Sequence, residues 1–127
     1  MVKEFAYRGK SLEELKNLEV REFAKYADSR TRRTILRQFQ EIEQFITKCK
    51  TKSGKKKQIK THSRQIVIVP QLVGFTVQIH DGKTFVPIEI VPDMIGHRLG
   101  EFSPTRARIK HGSAGMGATK GSKVKKK

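Results

Sequence analysis

Apolar residues recur at helical spacing along the first part of the chain. Ser11 followed by Glu14 has the spacing of a capping box, which predicts a helix beginning at this point. The apolar positions that continue this helix are Leu12, Leu15 and Leu18. A second short helix is predicted over residues 19–27, with Val20, Phe23 and Ala27 turned inward. Acidic and basic residues balance here, so we expect these two helices to form a small packing unit and not a main binding surface.

A long amphipathic helix is predicted over residues 28–50, beginning at Asp28-Ser29. Its apolar stripe consists of Ile35, Phe39, Ile42, Ile46 and Cys49. Arg30, Arg33 and Arg37 recur at i, i+3 and i+7 on nearly the opposite side. One face can therefore pack while the other contacts phosphate, although a merely solvated basic face is the alternative.

Strand patterns begin after a basic loop predicted at residues 52–57. Residues 66–69 form a buried strand candidate that ends at Pro70. Residues 74–80 and 83–91 then flank Asp81-Gly82, a strong signal for a hairpin with a two-residue type I′ turn. The corresponding register pairs His80 with Lys83, Val77 with Val86, Thr76 with Pro87 and Phe75 with Ile88. Pro87 cannot donate to the ladder, so we expect an edge strand, a bulge or an early end to pairing.

A short helix is predicted after Pro92, because proline suits the first turn of a helix. Gly100 is expected to be its left-handed C-terminal cap. Phe102 follows as an apolar anchor, and Glu101 is expected to cap the turn or to pair with Arg98.

These elements predict an α+β fold: N-terminal helices, a small twisted antiparallel sheet of about three strands, the short helix after Pro92, and flexible basic extensions. The predicted divisions are an N-terminal extension (1–10), a helical region (11–50), a basic loop (51–62), an α+β core (63–106) and a basic, glycine-rich C-terminal tail (107–127).

The charge of the chain points to a polyanionic partner. The 127 residues include 28 Lys and Arg against 12 Asp and Glu, a formal charge of +16, and only 35% are apolar. Residues 44–80 contain eight basic residues and no acid, and residues 106–127 contain eight more and no acid. Such one-sided charge favours nucleic acid, because neutralised phosphates release counterions. Residues 81–101, in contrast, carry four acids against Lys83 and Arg98, which leaves part of the folded body available for another protein.

Other classes fit the sequence less well. The apolar run at 66–69 is too short to span a bilayer, and the N-terminus has no apolar signal core. The single Cys49 cannot form an internal disulfide, which fits a cytoplasmic, reducing compartment.

No catalytic constellation is recognisable in the sequence. The four histidines are scattered, without metal-ligand spacing, so no metal or other cofactor is expected. Residues 112–119 mimic a phosphate loop but place Ala118 where lysine is required. A free-standing architectural nucleic-acid-binding protein is the main alternative, and an RNA-modifying enzyme is a weaker one.

The order of the residues at 96–106 indicates a protein family more specifically than their composition does. Gly-His-Arg-Leu-Gly-Glu-Phe-Ser-Pro-Thr-Arg, preceded by Asp81-Gly82-Lys83, closely resembles the signature of the universal ribosomal protein family S19, called S15 in eukaryotes. Residues 61–64, Thr-His-Ser-Arg, resemble the Thr-Trp-Ser-Arg segment of that family, with His62 in place of the aromatic residue. Residues 5–9 and 110–119 look like the archaeal and eukaryotic branch.

This resemblance implies a structural, non-catalytic protein in the head of the small ribosomal subunit, acting in translation. It implies binding to the 3′ domain of small-subunit rRNA, a neighbouring head protein of the S13 family and a bridge to the large subunit. It also implies a tail directed toward the decoding region and its tRNA.

Charge and resemblance together nominate a set of RNA-binding residues distributed over the whole chain. They are Arg30, Arg33, Arg37, Lys55, Lys56, Lys57, Lys60, His62, Ser63, Arg64, Lys83, His97, Arg98, Arg106, Arg108, Lys110, His111 and Lys120.

Overall fold

The computed structural model describes residues 3–112, and the helices dominate its N-terminal half. A small hairpin of β1 (Ala6–Tyr7) and β2 (Lys10–Ser11) leads into α1 (Leu12–Lys16). Next come α2 (Val20–Phe23), a 3₁₀ turn (Ala24–Tyr26), α3 (Ser29–Arg37) and α4 (Phe39–Gly54).

The two short helices agree with the sequence pattern. The Glu14 N–H donates to Ser11 Oγ at 3.4 Å, and the Ser11 N–H donates to Glu14 Oε2 at 3.1 Å, which confirms the capping box. Val20, Phe23 and Ala27 are all buried, as predicted for the second helix.

The prediction of one long helix over residues 28–50 is wrong. The chain breaks at Gln38, whose φ of −115° and ψ of 20° leave the helical region. No glycine or proline marks this break. Tertiary contacts hold α3 instead: the Arg32 side chain donates to the backbone carbonyls of Ala24, Lys25 and Ala27. Such contacts between segments are invisible to a local periodicity argument.

The apolar stripe continues across the break. Ile35 on α3 and Ile42, Ile46 and Cys49 on α4 are buried, and Phe39 packs partly buried against them. Helix α4 also ends later than the predicted long helix, at Gly54 instead of about residue 50. The basic loop is correspondingly shorter and includes Lys56 at a positive φ of 53°.

The three-stranded sheet confirms the predicted α+β class but is mixed. Its order is β3 (Ile59–Thr61), β4 (Thr76–His80), β5 (Phe85–Glu89). The β4–β5 pair is antiparallel as expected, whereas β3 runs parallel to β4. The sequence did not suggest β3, because its two buried residues, Ile59 and Thr61, lie among lysines.

The strand candidate at 66–69 is buried as predicted but is not a strand of this sheet. It lies extended against residues 96–99, with one β-bridge between Val67 and Arg98. The Ile68 N–H donates to the His97 carbonyl at 2.7 Å, and the Gly96 N–H donates to the Ile68 carbonyl at 3.0 Å. This segment therefore connects the core to the glycine-rich signature rather than extending the sheet.

The hairpin is present, but its turn is longer than predicted. His80 pairs with Phe85 and Val77 with Ile88, a shift of two residues from the expected register. The Asp81 carboxylate explains the longer turn, because its Oδ1 accepts from the N–H groups of Thr84 (2.7 Å) and Lys83 (2.8 Å). These two bonds also lower the pKa of Asp81.

The apolar face of the hairpin survives this change. A shift of two residues preserves the alternation of sides, so Val77 and Ile79 remain buried as predicted. The expectation of an edge strand is also confirmed, because Pro87 lies on β5, an outer strand of the sheet. Its partner on β4 is Gln78.

After the sheet, the predicted short helix is a 3₁₀ turn (Pro92–Met94), and a second 3₁₀ turn follows (Leu99–Phe102). The expected left-handed cap at Gly100 is wrong, since Gly96 has the positive φ, 87°. The predicted capping by Glu101 is confirmed: its Oε1 accepts from the Arg98 N–H at 3.3 Å. One core of Leu15, Phe23, Ile35, Ile42, Ile68, Leu72, Ile79, Leu99 and their neighbours joins the helices to the sheet.

Candidate RNA interface

The three arginines of α3 line one side of a groove that Arg98 closes from the signature segment. The groove has a volume of about 670 Å³, and its lining contains four arginines and no carboxylate. Arg30, Arg33 and Arg37 are exposed and Arg98 is half-buried. The remaining lining residues are small or neutral: Ser29, Thr34 and Gln38. We call this surface the arginine groove. Residues more than 60 positions apart therefore converge on one electropositive site.

A relay of hydrogen bonds fixes the far side of the arginine groove. Arg98 Nη2 donates to Thr34 Oγ1 at 3.3 Å, and the Thr34 hydroxyl donates to the Arg30 carbonyl at 3.1 Å. Arg98 is the N-cap of the last 3₁₀ turn, where Glu101 accepts from its N–H. The Arg98 side chain is thus positioned from both segments, which lowers the entropy lost when its guanidinium binds an anion.

A second basic surface lies along the C-terminal half of α4. Its groove of about 430 Å³ is lined by four lysines and by neutral polar residues: Gln44, Thr47, Lys48, Thr51, Lys52, Lys55 and Lys57. We call it the lysine groove. Of the predicted loop residues, it includes Lys55 and Lys57, whereas the exposed Lys56 is not among its lining residues.

Lys60 and His62 belong to an aromatic cluster at one end of the sheet. The His62 ring lies 4.4 Å from the His80 ring and 5.1 Å from the Phe85 ring, measured between centroids. Lys60 Nζ lies 5.3 Å from the centre of the Phe85 ring. His62 therefore contacts the rings of this cluster and remains exposed to solvent.

Ser63 and Lys83 have ordinary local environments next to this cluster. The Ser63 N–H donates to Thr61 Oγ1 at 3.0 Å, and the residue is half-buried. Lys83 is exposed in the hairpin turn.

Arg64 differs from the other nominated cations because its guanidinium is already used inside the protein. It donates to the carbonyl oxygens of His80 (2.6 Å), Gly100 (2.8 Å) and Ser103. These bonds connect the segment before the core to the hairpin and to the last 3₁₀ turn. This geometry gives Arg64 a structural role within the fold.

His97 and the residues after the last turn lie near the end of the described chain. His97 Nδ1 is 2.7 Å from Glu101 Oε2, and its ring meets the Phe102 ring edge-on at 5.8 Å between centroids. Arg106, Arg108, Lys110 and His111 are exposed. Lys120 and the tail prediction for residues 113–127 lie outside the described residues.

Several lining residues were missed at the level of sequence. Lys48, Lys52 and Lys55 follow one another at i, i+4 and i+7, so their common face was open to prediction. Gln38 and Thr34 gave no signal, because a neutral side chain acquires a role here only through the arginines around it.

A small basic α+β protein with acid-free arginine and lysine grooves has the properties of an RNA-binding protein. The family model of ribosomal protein S19 matches residues 31–111, which include most of α3, all of α4, the sheet and the signature segment. The chain belongs to the ribosomal protein S19 family. It is therefore a non-enzymatic structural protein of the small ribosomal subunit, acting in translation and located in the ribosome.

The match includes the helices that carry both grooves, whereas the motifs of the sequence resemblance lie in residues 61–106 and near the two chain ends. Within residues 3–112, no helix is both long and apolar enough to cross a membrane.

Proposed function

We propose that the arginine groove is a principal contact between this protein and small-subunit rRNA. The convergence of Arg30, Arg33, Arg37 and Arg98 around a groove without carboxylates carries this proposal. Guanidinium groups bind phosphate oxygens in a bidentate manner, and four of them around one groove match closely spaced backbone phosphates.

The rRNA contact is proposed to lie in the 3′ domain, in the head of the subunit, as the resemblance of the signature segment implies. In this arrangement the four acids of residues 81–101 stay clear of phosphate, whereas Arg98 of the same segment contributes to the arginine groove. The surface around these acids is proposed to meet a neighbouring head protein of the S13 family and to form the bridge to the large subunit. The chain ends support assignment to the archaeal and eukaryotic branch.

The basic residues after the last 3₁₀ turn are proposed to lead the tail toward the decoding region and its tRNA. Arg106, Arg108, Lys110 and His111 are all exposed and without nearby acids in sequence. Phosphate contacts by such residues position a segment without reading sequence.

The test is the salt dependence of binding to a transcript of the 3′ domain. The double variant Arg33→Gln/Arg37→Gln removes two guanidinium groups from the arginine groove. If each neutralises a phosphate, the slope of log K against log salt becomes shallower by about 1.8 for a duplex contact and about 1.4 for a single-stranded one.

A control variant, Lys3→Gln/Lys25→Gln, removes the same charge from exposed positions outside both grooves. It is expected to leave most of the slope intact. An unchanged slope in the groove variant, or an equal change in both variants, would refute the assignment.

A further inference from the structure

The arginine groove and the lysine groove lie at different positions along α4 and do not merge. Gln38, the N-cap of α4, lines the first groove, whereas the second begins at Gln44 and includes Lys52, 14 positions after Gln38. At 1.5 Å per residue this corresponds to about 21 Å along the helix axis. Since α4 is continuous from Phe39 to Gly54, the spacing is set by a rigid element.

Acidic residues occupy the stretch between the two grooves. Glu41 and Glu43 are exposed on the first turns of α4, and both are absent from the lining of either groove. Glu43 lies beside Gln44 and Thr47, at the border of the lysine groove. A phosphate backbone running straight from one groove to the other would pass this pair of like charges, which is unfavourable.

The two grooves also differ in chemistry. The arginine groove is fixed by the contact from Arg98 to Thr34 and presents planar guanidinium groups. The lysine groove presents flexible ammonium groups that act as point charges. The hydroxyls of Thr47 and Thr51 donate back to the helix, to the carbonyls of Glu43 and Thr47, both at 2.9 Å. The cationic groups of this groove are those of its four lysines.

We propose that the lysine groove is a second, independent RNA-phosphate site, and that α4 acts as a spacer between two separate RNA segments, with Gln38 and Lys52 about 21 Å apart along the helix. The protein then bridges RNA segments, in addition to coating one of them. This proposal rests on the proposed rRNA contact of the arginine groove, and it adds the second site and the separation.

The experiment uses the full chain and two RNA hairpins, one labelled with a fluorescence donor and the other with an acceptor. Anisotropy of one hairpin reports single binding, and energy transfer between the hairpins reports bridging. The variants are Arg33→Gln/Arg37→Gln for the arginine groove and Lys52→Gln/Lys55→Gln for the lysine groove. The matched control is Lys3→Gln/Lys25→Gln, which loses the same charge.

Each groove variant is expected to retain binding of one hairpin and to need at least about tenfold more of the second hairpin for energy transfer. The control is expected to bridge like the wild type. The variant with all four groove substitutions is expected to lose tight binding of even the first hairpin.

Two results would overturn the proposal. One is equal loss of energy transfer in the control and in the groove variants, which would make bridging a matter of net charge. The other is a loss of single-hairpin affinity in both groove variants with one hairpin bound per wild-type chain, which would show one continuous track.

Failure of the rRNA contact itself gives a different pattern. In that case the arginine-groove variant binds a single hairpin with the wild-type salt slope, whatever happens to energy transfer.

Discussion

Arg64 and Gly100 hold each other through two reciprocal hydrogen bonds. The Arg64 guanidinium donates to the Gly100 carbonyl at 2.8 Å, and the Gly100 N–H donates to the Arg64 carbonyl at 2.9 Å. This pair joins the segment that leaves β3 to the last 3₁₀ turn, 36 positions later. Arg98, which closes the arginine groove, lies in the same signature segment as Gly100. The pair therefore also helps to position Arg98.

Replacing Arg64 with lysine is expected to destabilise the fold. A lysine ammonium cannot reproduce the planar fork that serves three carbonyl groups, so at least one is left without its donor. The expected loss is about 1–3 kcal/mol in the free energy of unfolding, measured by urea titration. Arg106→Lys, at an exposed position, serves as the control. Equal midpoints for the two variants would contradict the structural role of Arg64.

Adding a single methyl group at Gly100 is expected to disturb the same contact. A Cβ atom there would lie 3.0 Å from Arg64 Cβ and 3.1 Å from the Arg64 carbonyl oxygen, which is too close for ordinary packing. Gly100→Ala should therefore cost about 1–3 kcal/mol of stability. Gly54→Ala is the matched control, because a Cβ at Gly54 meets nothing within 4 Å. A Gly100→Ala variant as stable as the control would show that the turn can move away without cost.

Gly82→Val tests the hairpin turn through backbone strain alone. Gly82 has a φ of +102° and open space where a side chain would go, so the expected penalty comes from conformation and not from collision. A β-branched residue in this region costs about 1–3 kcal/mol. Thermal melting compares it with Gly112→Val, where the space is also open and φ is not in the left-handed region. Identical melting temperatures for the two variants would show that the turn tolerates valine.

Cys49 is expected to make stability fall at high pH. Burial raises the pKa of its thiol from 9.0 to about 11, against a smaller opposing effect of Lys48 and Lys52. As pH rises above 9, the unfolded thiol ionises before the folded one, so the unfolded state gains stability. The contribution is complete below pH 9 and is lost as pH approaches 11.

The measurement is urea unfolding of the wild type and of Cys49→Ala across pH 8 to 11. The difference between the two stabilities should shrink over this range. Alkylation by iodoacetamide at pH 8 should be slow in the native protein and fast in urea, because only an exposed thiolate reacts. A pH-independent difference, together with rapid native alkylation, would show that the thiol is accessible.

Truncation tests the tail separately from the folded body. Deleting residues 108–127 removes positive charge, and the described part of this segment, residues 108–112, contributes no residue to the core. The shortened protein should melt like the full chain and enter the subunit, while tRNA binding or elongation is impaired. Reconstituted subunits can be scored for incorporation and for tRNA affinity. Wild-type tRNA affinity and elongation would refute the proposed role, and failed incorporation would refute the independence of the body.

The two short N-terminal helices and the apolar face of the hairpin were predictable because their signals are local. The Ser11–Glu14 capping box and the alternation of Val77 and Ile79 are each contained within a few residues. The same local argument gave the wrong turn at residues 81–84, since Asp-Gly fits a two-residue loop. The Asp81 carboxylate, which binds two N–H groups beyond it, stabilises a longer one.

The arginine groove was predictable only in part. The face of Arg30, Arg33 and Arg37 followed from spacing, but its closure by Arg98 depends on a contact across 64 positions. The break at Gln38 and the parallel pairing of β3 depend in the same way on tertiary packing. Arg64 was nominated as an RNA contact because it is a cation in a basic stretch of sequence. Its three carbonyl partners within the fold could not be predicted from that stretch.

The two outer strands of the sheet have a consequence for the protein before it meets RNA. An unpaired strand edge is a template on which another chain can add a strand and begin aggregation. On one edge, β5 carries Pro87, which has no N–H to offer, and on the other β3 is three residues long with the exposed Lys60 at its centre. Both edges therefore discourage sheet growth between copies of the chain before it is assembled into the ribosome.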